Sequence, residues 1–64
     1  MEKTAVFMIT REEKTNGWFY TIKSRMYNTY NKYDLNEHQL FEAMEELTDT
    51  FNNVLNLAIL FEVG

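Results

Sequence analysis

NEHQLFEAMEELTDTF, residues 36–51, is the segment that decides the fold of this chain. Its largest apolar side chains recur at spacings of four, three and four residues, as on one face of an α-helix. They are Leu40, Met44, Leu47 and Phe51. The segment is therefore predicted to be an amphipathic helix against which the other elements pack.

Several independent local signals indicate where this helix begins. Asn36 is a favourable N-cap residue, and Gln39 three positions later completes a capping box. Leu35 and Leu40 flank the cap at the positions of a hydrophobic staple. Glu37 places negative charge in the first turn, where the helix dipole favours it. We therefore expect the helix to start directly after Asn36.

The N-terminal half of the chain predicts a β-hairpin. Residues 4–10, TAVFMIT, are apolar and β-branched, which predicts a strand buried on both faces, central in a sheet or at an interface. Asn16-Gly17 is a strong hairpin signal because both residues tolerate positive φ. The second strand is predicted over residues 18–26, WFYTIKSRM. Residues 27–35, YNTYNKYDL, are predicted to be a loop with room for one helical turn.

The sequence after the helix is compatible with two structures. Residues 48–53 are mostly weak helix formers, and residues 56–63, NLAILFEV, alternate as a strand does. Asn52-Asn53 would then supply the turn, and the fold is α+β with element order ββαβ and a three-stranded, mainly antiparallel sheet. In the alternative, ββα, the apolar stripe continues and the helix runs to the C-terminus with a seam for a second copy. We favour the strand.

The composition indicates a single small domain, residues 1–64, without covalent cross-links. The chain has no cysteine, and no apolar run approaches the roughly 20 residues of a membrane-spanning helix. We therefore expect a cytoplasmic protein with no membrane contact. Hydrophobic residues make up 45% of the chain, a heavy apolar load for 64 residues. This load favours a homo-oligomer, most simply a dimer, or a bound partner.

Charge is divided unevenly along the chain. Residues 1–34 hold six bases and four acids, a net charge of +2, whereas residues 35–64 hold six acids and no base, a net charge of −6. Four of these acids lie on the polar side of the predicted helix: Glu42, Glu45, Glu46 and Asp49. Such a face is commonly only solvated, or is neutralised by Lys23 or Arg25 of the sheet or by a second subunit. It can also steer a basic partner towards the protein.

Catalytic chemistry has few candidate residues in this sequence. Ser24 is the only serine, His38 is the only histidine, and no third group is placed to orient them as a nucleophile and base. His38 and Glu42 share a helix face, but a second histidine or a cysteine for a metal site is lacking. We therefore expect a protein that is not an enzyme and carries no metal or other cofactor.

The function predicted is that of a small protein–protein interaction module. It would bind or inhibit a larger, basic-surfaced protein through the acidic helix face. One example is a nucleic-acid-handling protein, in which the carboxylates would take the place of nucleic-acid phosphates. The tyrosine loop and outer sheet face form a second candidate surface: Phe19, Tyr27, Tyr30 and Tyr33.

Two alternatives come from other functional classes. The first is a single-stranded nucleic-acid binder that uses the aromatic and basic hairpin, although a pI of about 4.8 argues against direct nucleic-acid binding. The second is a structural subunit of an oligomeric assembly, held by its apolar C-terminal segment.

Overall fold

A four-stranded mixed sheet carries one helix on one of its faces in the computed structural model, which describes residues 4–64. The strands lie in the order β3-β2-β1-β4, with β1–β2 and β2–β3 antiparallel and β1–β4 parallel. The elements are β1 (Thr4–Lys14), β2 (Gly17–Lys23), a 3₁₀ turn (Asn28–Tyr30), β3 (Lys32–Leu35), α1 (Glu37–Asp49), its π-helical continuation (Thr50–Val54) and β4 (Ala58–Val63). The α+β prediction is confirmed, and its C-terminal element is the strand.

The third strand was not predicted from the sequence. β3 lies within the segment predicted to be a loop, and it pairs with β2 through only two positions, Tyr20↔Leu35 and Ile22↔Lys32, with a shift of register between them. Asp34 within it has φ 55. A four-residue irregular edge strand has no regular alternation of apolar side chains to reveal it. The sheet therefore has four strands rather than three.

The alternation of burial along β1 corrects one prediction and confirms another. Ala5, Phe7 and Ile9 are buried in the core, whereas Val6 and Met8 between them are exposed. Burial on both faces is therefore wrong, because α1 covers only one face of the sheet. The central position is confirmed, since β1 pairs with β2 on one side and β4 on the other.

The hairpin extends further than predicted and turns one residue earlier. The paired strands continue to Lys14↔Gly17, so that Thr15 and Asn16 form the loop. Gly17 has φ 118, and Asn16 is not among the non-glycine residues with positive φ. Asn-Gly therefore marks the hairpin as predicted, but only the glycine uses a positive φ. Residues 11–18 are all exposed, so this end of the hairpin is an arm beyond the core.

The core is built around the ring of Phe51. Three aromatic rings meet it edge-on, with centroid distances of 5.3 Å to Phe7 and 5.1 Å to both Tyr27 and Tyr30. Edge-to-face pairs at this spacing are favourable beyond the area that they bury. Around them lie the other buried apolar residues: Ala5, Ile9, Ile22, Leu40, Ala43 and Leu47.

The helix end differs in detail from the predicted turn. Asn52 and Asn53 lie in the π-helical continuation of α1 rather than in a turn. The chain reverses after it, at Asn56, which has φ 58. The N–H of Leu57 donates to the carbonyl of Phe51 at 2.7 Å and ties this reversal to the core. The turn into β4 therefore comes three residues later than Asn53. No helix within residues 4–64 combines the length and apolar character that crossing a membrane requires.

The capping box at the start of α1 is confirmed. The Gln39 N–H donates to Oδ1 of Asn36 at 2.8 Å, and the Asn36 N–H donates to Oε1 of Gln39 at 3.0 Å. We expect Asn36→Ala to lower the free energy of unfolding by about 1 kcal/mol, because it removes an acceptor from a first-turn N–H. Urea denaturation followed by circular dichroism measures this loss. Asn52→Ala, an exposed control, should leave the midpoint unchanged, and equal losses for both variants would contradict the role of the cap.

Candidate interaction surfaces

The first candidate surface is the polar side of α1, which we term the acidic helix face and define by Glu42, Glu45, Glu46 and Asp49. All four side chains are exposed, and the buried helix residues Leu40, Ala43 and Leu47 lie on the opposite side. The four acids border a shallow, open depression of about 700 Å³ together with Thr48, Asn52 and Asn53. The structure thus brings together all four acids that the helical period had grouped.

The negative charge of this face is not neutralised within residues 4–64. Lys14–Asp34 at 2.8 Å is the ion pair that a lysine or arginine forms in this part of the chain, and Glu42 lies 3.4 Å from the imidazole of His38. Glu45, Glu46 and Asp49 therefore have no cationic partner among the described residues, and the like-charge spacing of four residues along the helix adds repulsion.

Lys23 and Arg25 of the same chain do not approach the acidic helix face. Lys23 follows the buried Ile22 on β2, so it projects from the face of the sheet that α1 does not cover. Arg25 borders a depression on that face, beside Val6 and Met8. The interpretation that these two cations neutralise the helix within one chain is therefore wrong.

His38 contacts one carboxylate and is not part of a metal-binding cluster within residues 4–64. Its Nε2 lies 3.4 Å from Oε1 of Glu42, and both side chains are well exposed. Among residues 4–64 no group of three histidine, cysteine or carboxylate side chains is arranged to hold a metal ion.

Ser24 has a structural role in the turn after β2. Its hydroxyl accepts a hydrogen bond from the Tyr27 N–H at 3.2 Å, and its own N–H donates to Oδ1 of Asn31 at 2.8 Å. These bonds satisfy a buried polar side chain at the point where the chain leaves the sheet. The one candidate nucleophile of the sequence is therefore explained by local structure.

The second predicted surface is divided between two sides of the sheet. Tyr27 and Tyr30 are partly buried against Phe51, on the helix side. Phe19 and Tyr33 lie on the other side. The Nζ of Lys14 is 5.1 Å from the centroid of the Phe19 ring, and the Nζ of Lys23 is 5.6 Å from that of Tyr33. The four aromatic residues thus do not form one continuous surface.

The aromatic rings of the hairpin are engaged by cations of the same chain. Besides Phe19 and Tyr33, Trp18 has the guanidinium of Arg11 4.3 Å from its ring centroid. A base that stacked on these rings would have to displace the cations, which already gain from the ring quadrupoles. A hydrogen bond from Lys14 to Asp34 also links the arm to β3, and it raises the pKa of Lys14 above its ordinary value. This arrangement weakens the nucleic-acid hypothesis, which stays a prediction.

The face of the sheet opposite α1 also has an apolar part on β1 and β4, which the prediction of an outer sheet surface did not include. We term it the open sheet face and define it by Val6, Met8, Lys23, Leu60 and Glu62. Its apolar members are well exposed: Val6 is 41%, Met8 40% and Leu60 49% accessible to solvent. The signal was present in residues 4–10, because a strand that is apolar on both sides needs two covering layers and the sequence holds only one helix.

Comparison with protein-family models, curated proteins and solved structures found no match to this chain.

Proposed function

We propose that this protein is a non-catalytic interaction module that binds a larger protein with a basic surface through the acidic helix face. The observation that carries the proposal is the clustering of Glu45, Glu46 and Asp49 on one exposed side of α1 with no cation of residues 4–64 beside them. A like-charged cluster costs the free protein stability. A basic partner would remove that cost and supply the missing counter-charges.

The shape of the face suits a convex basic partner. The depression between the acids and Asn52–Asn53 is open rather than enclosed, and amide groups lie beside the carboxylates. Asp49 is already oriented by a hydrogen bond of 2.6 Å from the Asn53 side chain. Carboxylates fixed in this way can accept paired hydrogen bonds from arginine, which recognises carboxylate and phosphate with the same geometry. Proteins that handle nucleic acid present such arginines, so they are the partner class that we favour.

Charge reversal on α1 tests this proposal. We expect Glu45→Lys together with Glu46→Lys to weaken complexes captured from the native cell at least about tenfold, since the steering field reverses sign. Wild-type complexes should form at about 0.1 M salt and dissociate near 1 M, where the Debye length falls from about 10 to about 3 Å. The readout is the amount of each captured protein, measured by quantitative mass spectrometry.

The matched control places the same charge change on the hairpin arm. Glu12→Lys with Glu13→Lys gives the same net charge without touching α1, and its captured proteins should be those of the wild type. Unfolding cannot explain a loss in the helix variant, because the reversal relieves two repulsive pairs and should raise stability by a few tenths of a kcal/mol, roughly. Captured proteins that ignore the helix reversal, or a wild type that retains no salt-sensitive partner, would refute the proposal.

A further inference from the structure

We propose that the open sheet face is a homodimer interface, in which two copies pack face to face with aligned strands and each Lys23 meets Glu62 of the partner subunit. The surface is separate from the acidic helix face, so this inference does not depend on the proposed function. It rests on the apolar centre of the face, on the order of charges across it and on its relief.

The centre of the open sheet face is apolar and continuous. Val6 pairs with Leu60 across β1 and β4, and Met8 is the next residue of β1 on the same side. Met26, 81% accessible, extends this patch beyond the end of β2. Within residues 4–64 no element covers it, because α1 packs on the other face. Contiguous apolar patches of this kind on small proteins mark interaction sites.

Charges are ordered across the face in a self-complementary row. The registers Met8↔Lys23 and Met8↔Glu62 place a cation on one side of Met8 and an anion on the other. Neither Lys23 nor Glu62 belongs to an ion pair of residues 4–64. The row formed by Lys23, Met8 and Glu62 is complementary to a rotated copy of itself, and a second cation of the face, Arg25, lies beyond this row, past the end of β2.

The order of charges also selects the symmetry. A two-fold axis along β1 exchanges the two sides of the face, so that Lys23 lies opposite Glu62 of the partner subunit twice in the dimer and Met8 lies opposite its own copy. An axis across the strands would instead place Lys23 opposite Lys23. The first arrangement is isologous, and it aligns the two sheets as in common face-to-face packing.

The relief of the face fits the same arrangement. A depression of about 340 Å³ extends from Arg25 and Met26, beyond the end of β2, past Val6 and Met8 to Glu62 of β4. On the β4 side, at the level of Val6, Leu60 projects with 49% of its surface exposed. Rotation about β1 brings Leu60 over the depression of the partner subunit. Each copy therefore supplies both the projecting side chain and the concavity that receives it.

The size of the face indicates a weak dimer. β1 and β4 lie side by side over residues 4–9, and β2 joins them only from Met8 onward. At about 4.8 Å between strands and about 3.4 Å per residue, the contact is roughly 300 Å² per copy. The pair would bury about 600 Å², which is less than stable interfaces bury and is typical of transient association. We therefore expect a dissociation constant on the order of 100 μM.

Charge exchange tests the proposal by sedimentation equilibrium between about 1 μM and about 1 mM protein, a range that brackets this constant. Lys23→Glu or Glu62→Lys alone should weaken the dimer about tenfold, because each creates two like-charge contacts. The double variant K23E/E62K should restore it to within about threefold of the wild type. Leu60→Asp, at an exposed position, should give a monomer with an unchanged circular dichroism spectrum.

Matched controls carry the same charge changes on the helix side of the arm. Arg11→Glu and Glu13→Lys should associate as the wild type does, and so should the α1 double reversal, which separates this test from that of the proposed function. A wild type that is still monomeric at about 1 mM protein overturns the proposal. So does an oligomer that ignores all the charge changes, which would indicate pairing through the free edge of β4 instead.

Discussion

Phe51→Ala is expected to lower the free energy of unfolding by about 3–5 kcal/mol. Phe51 has no exposed surface, and its ring is the common neighbour of Phe7, Tyr27 and Tyr30. The substitution leaves a cavity that three rings cannot fill without leaving their own positions. Since a chain of 64 residues is stable by only about 3–10 kcal/mol, much of the variant should be unfolded at 25 °C.

Phe41→Ala is the matched control for this measurement. Phe41 lies in the same helix, but 60% of it is exposed. Its removal should change the free energy of unfolding by no more than about 0.5 kcal/mol. Urea denaturation followed by circular dichroism compares the two variants at equal concentration. Equal midpoints for F51A and F41A would contradict the position of Phe51 in the core.

Gly17→Ala is expected to cost about 1–3 kcal/mol, the range for a residue held in a sparsely populated backbone region. Gly17 has φ 118, which an L-residue rarely adopts, and an added Cβ would meet no atom within 4 Å. The loss would therefore come from the backbone and not from a steric clash. The same urea titration measures it.

A chemically synthesised chain with D-alanine at position 17 provides the control. For a D-residue a φ of 118 is favourable, since it is the mirror image of the negative φ that L-residues adopt readily. This variant should unfold near the wild-type midpoint. Equal losses for the two enantiomers would show that the added volume, rather than φ, is what the hairpin excludes.

Local patterns predicted the parts of the fold that depend on neighbouring residues. The cap at Asn36, the apolar stripe through Leu47 and the hairpin signal at Gly17 each act within a few positions. The cap and the stripe were located correctly, and the hairpin turn was predicted one residue too late. β3 escaped prediction because it pairs with β2 at only two positions, with a register shift between them, and so leaves no period in the sequence. The parallel pairing of β4 with β1 is also invisible locally, because no short pattern records which edge a strand joins.

The candidate surfaces divide in the same way. The acidic helix face was predictable, since the helical period alone groups Glu42, Glu45, Glu46 and Asp49. The tyrosines were misjudged because side chains every third residue in a loop can pack inward, as Tyr27 and Tyr30 do on Phe51. The open sheet face needed the layer arrangement, because only the position of α1 decides which half of β1 lacks a cover.

The parallel pairing of β1 with β4 constrains the order in which the molecule can assemble. The hairpin of β1 and β2 is local and can close within microseconds, roughly. The other edge of β1 stays without a partner until Ala58 reaches Thr4 from the far end of the chain. Closing so long a loop is entropically slow, and β4 is synthesised after β1, β2 and α1. We therefore expect the pairing of β4 with β1 to form later in folding than the hairpin.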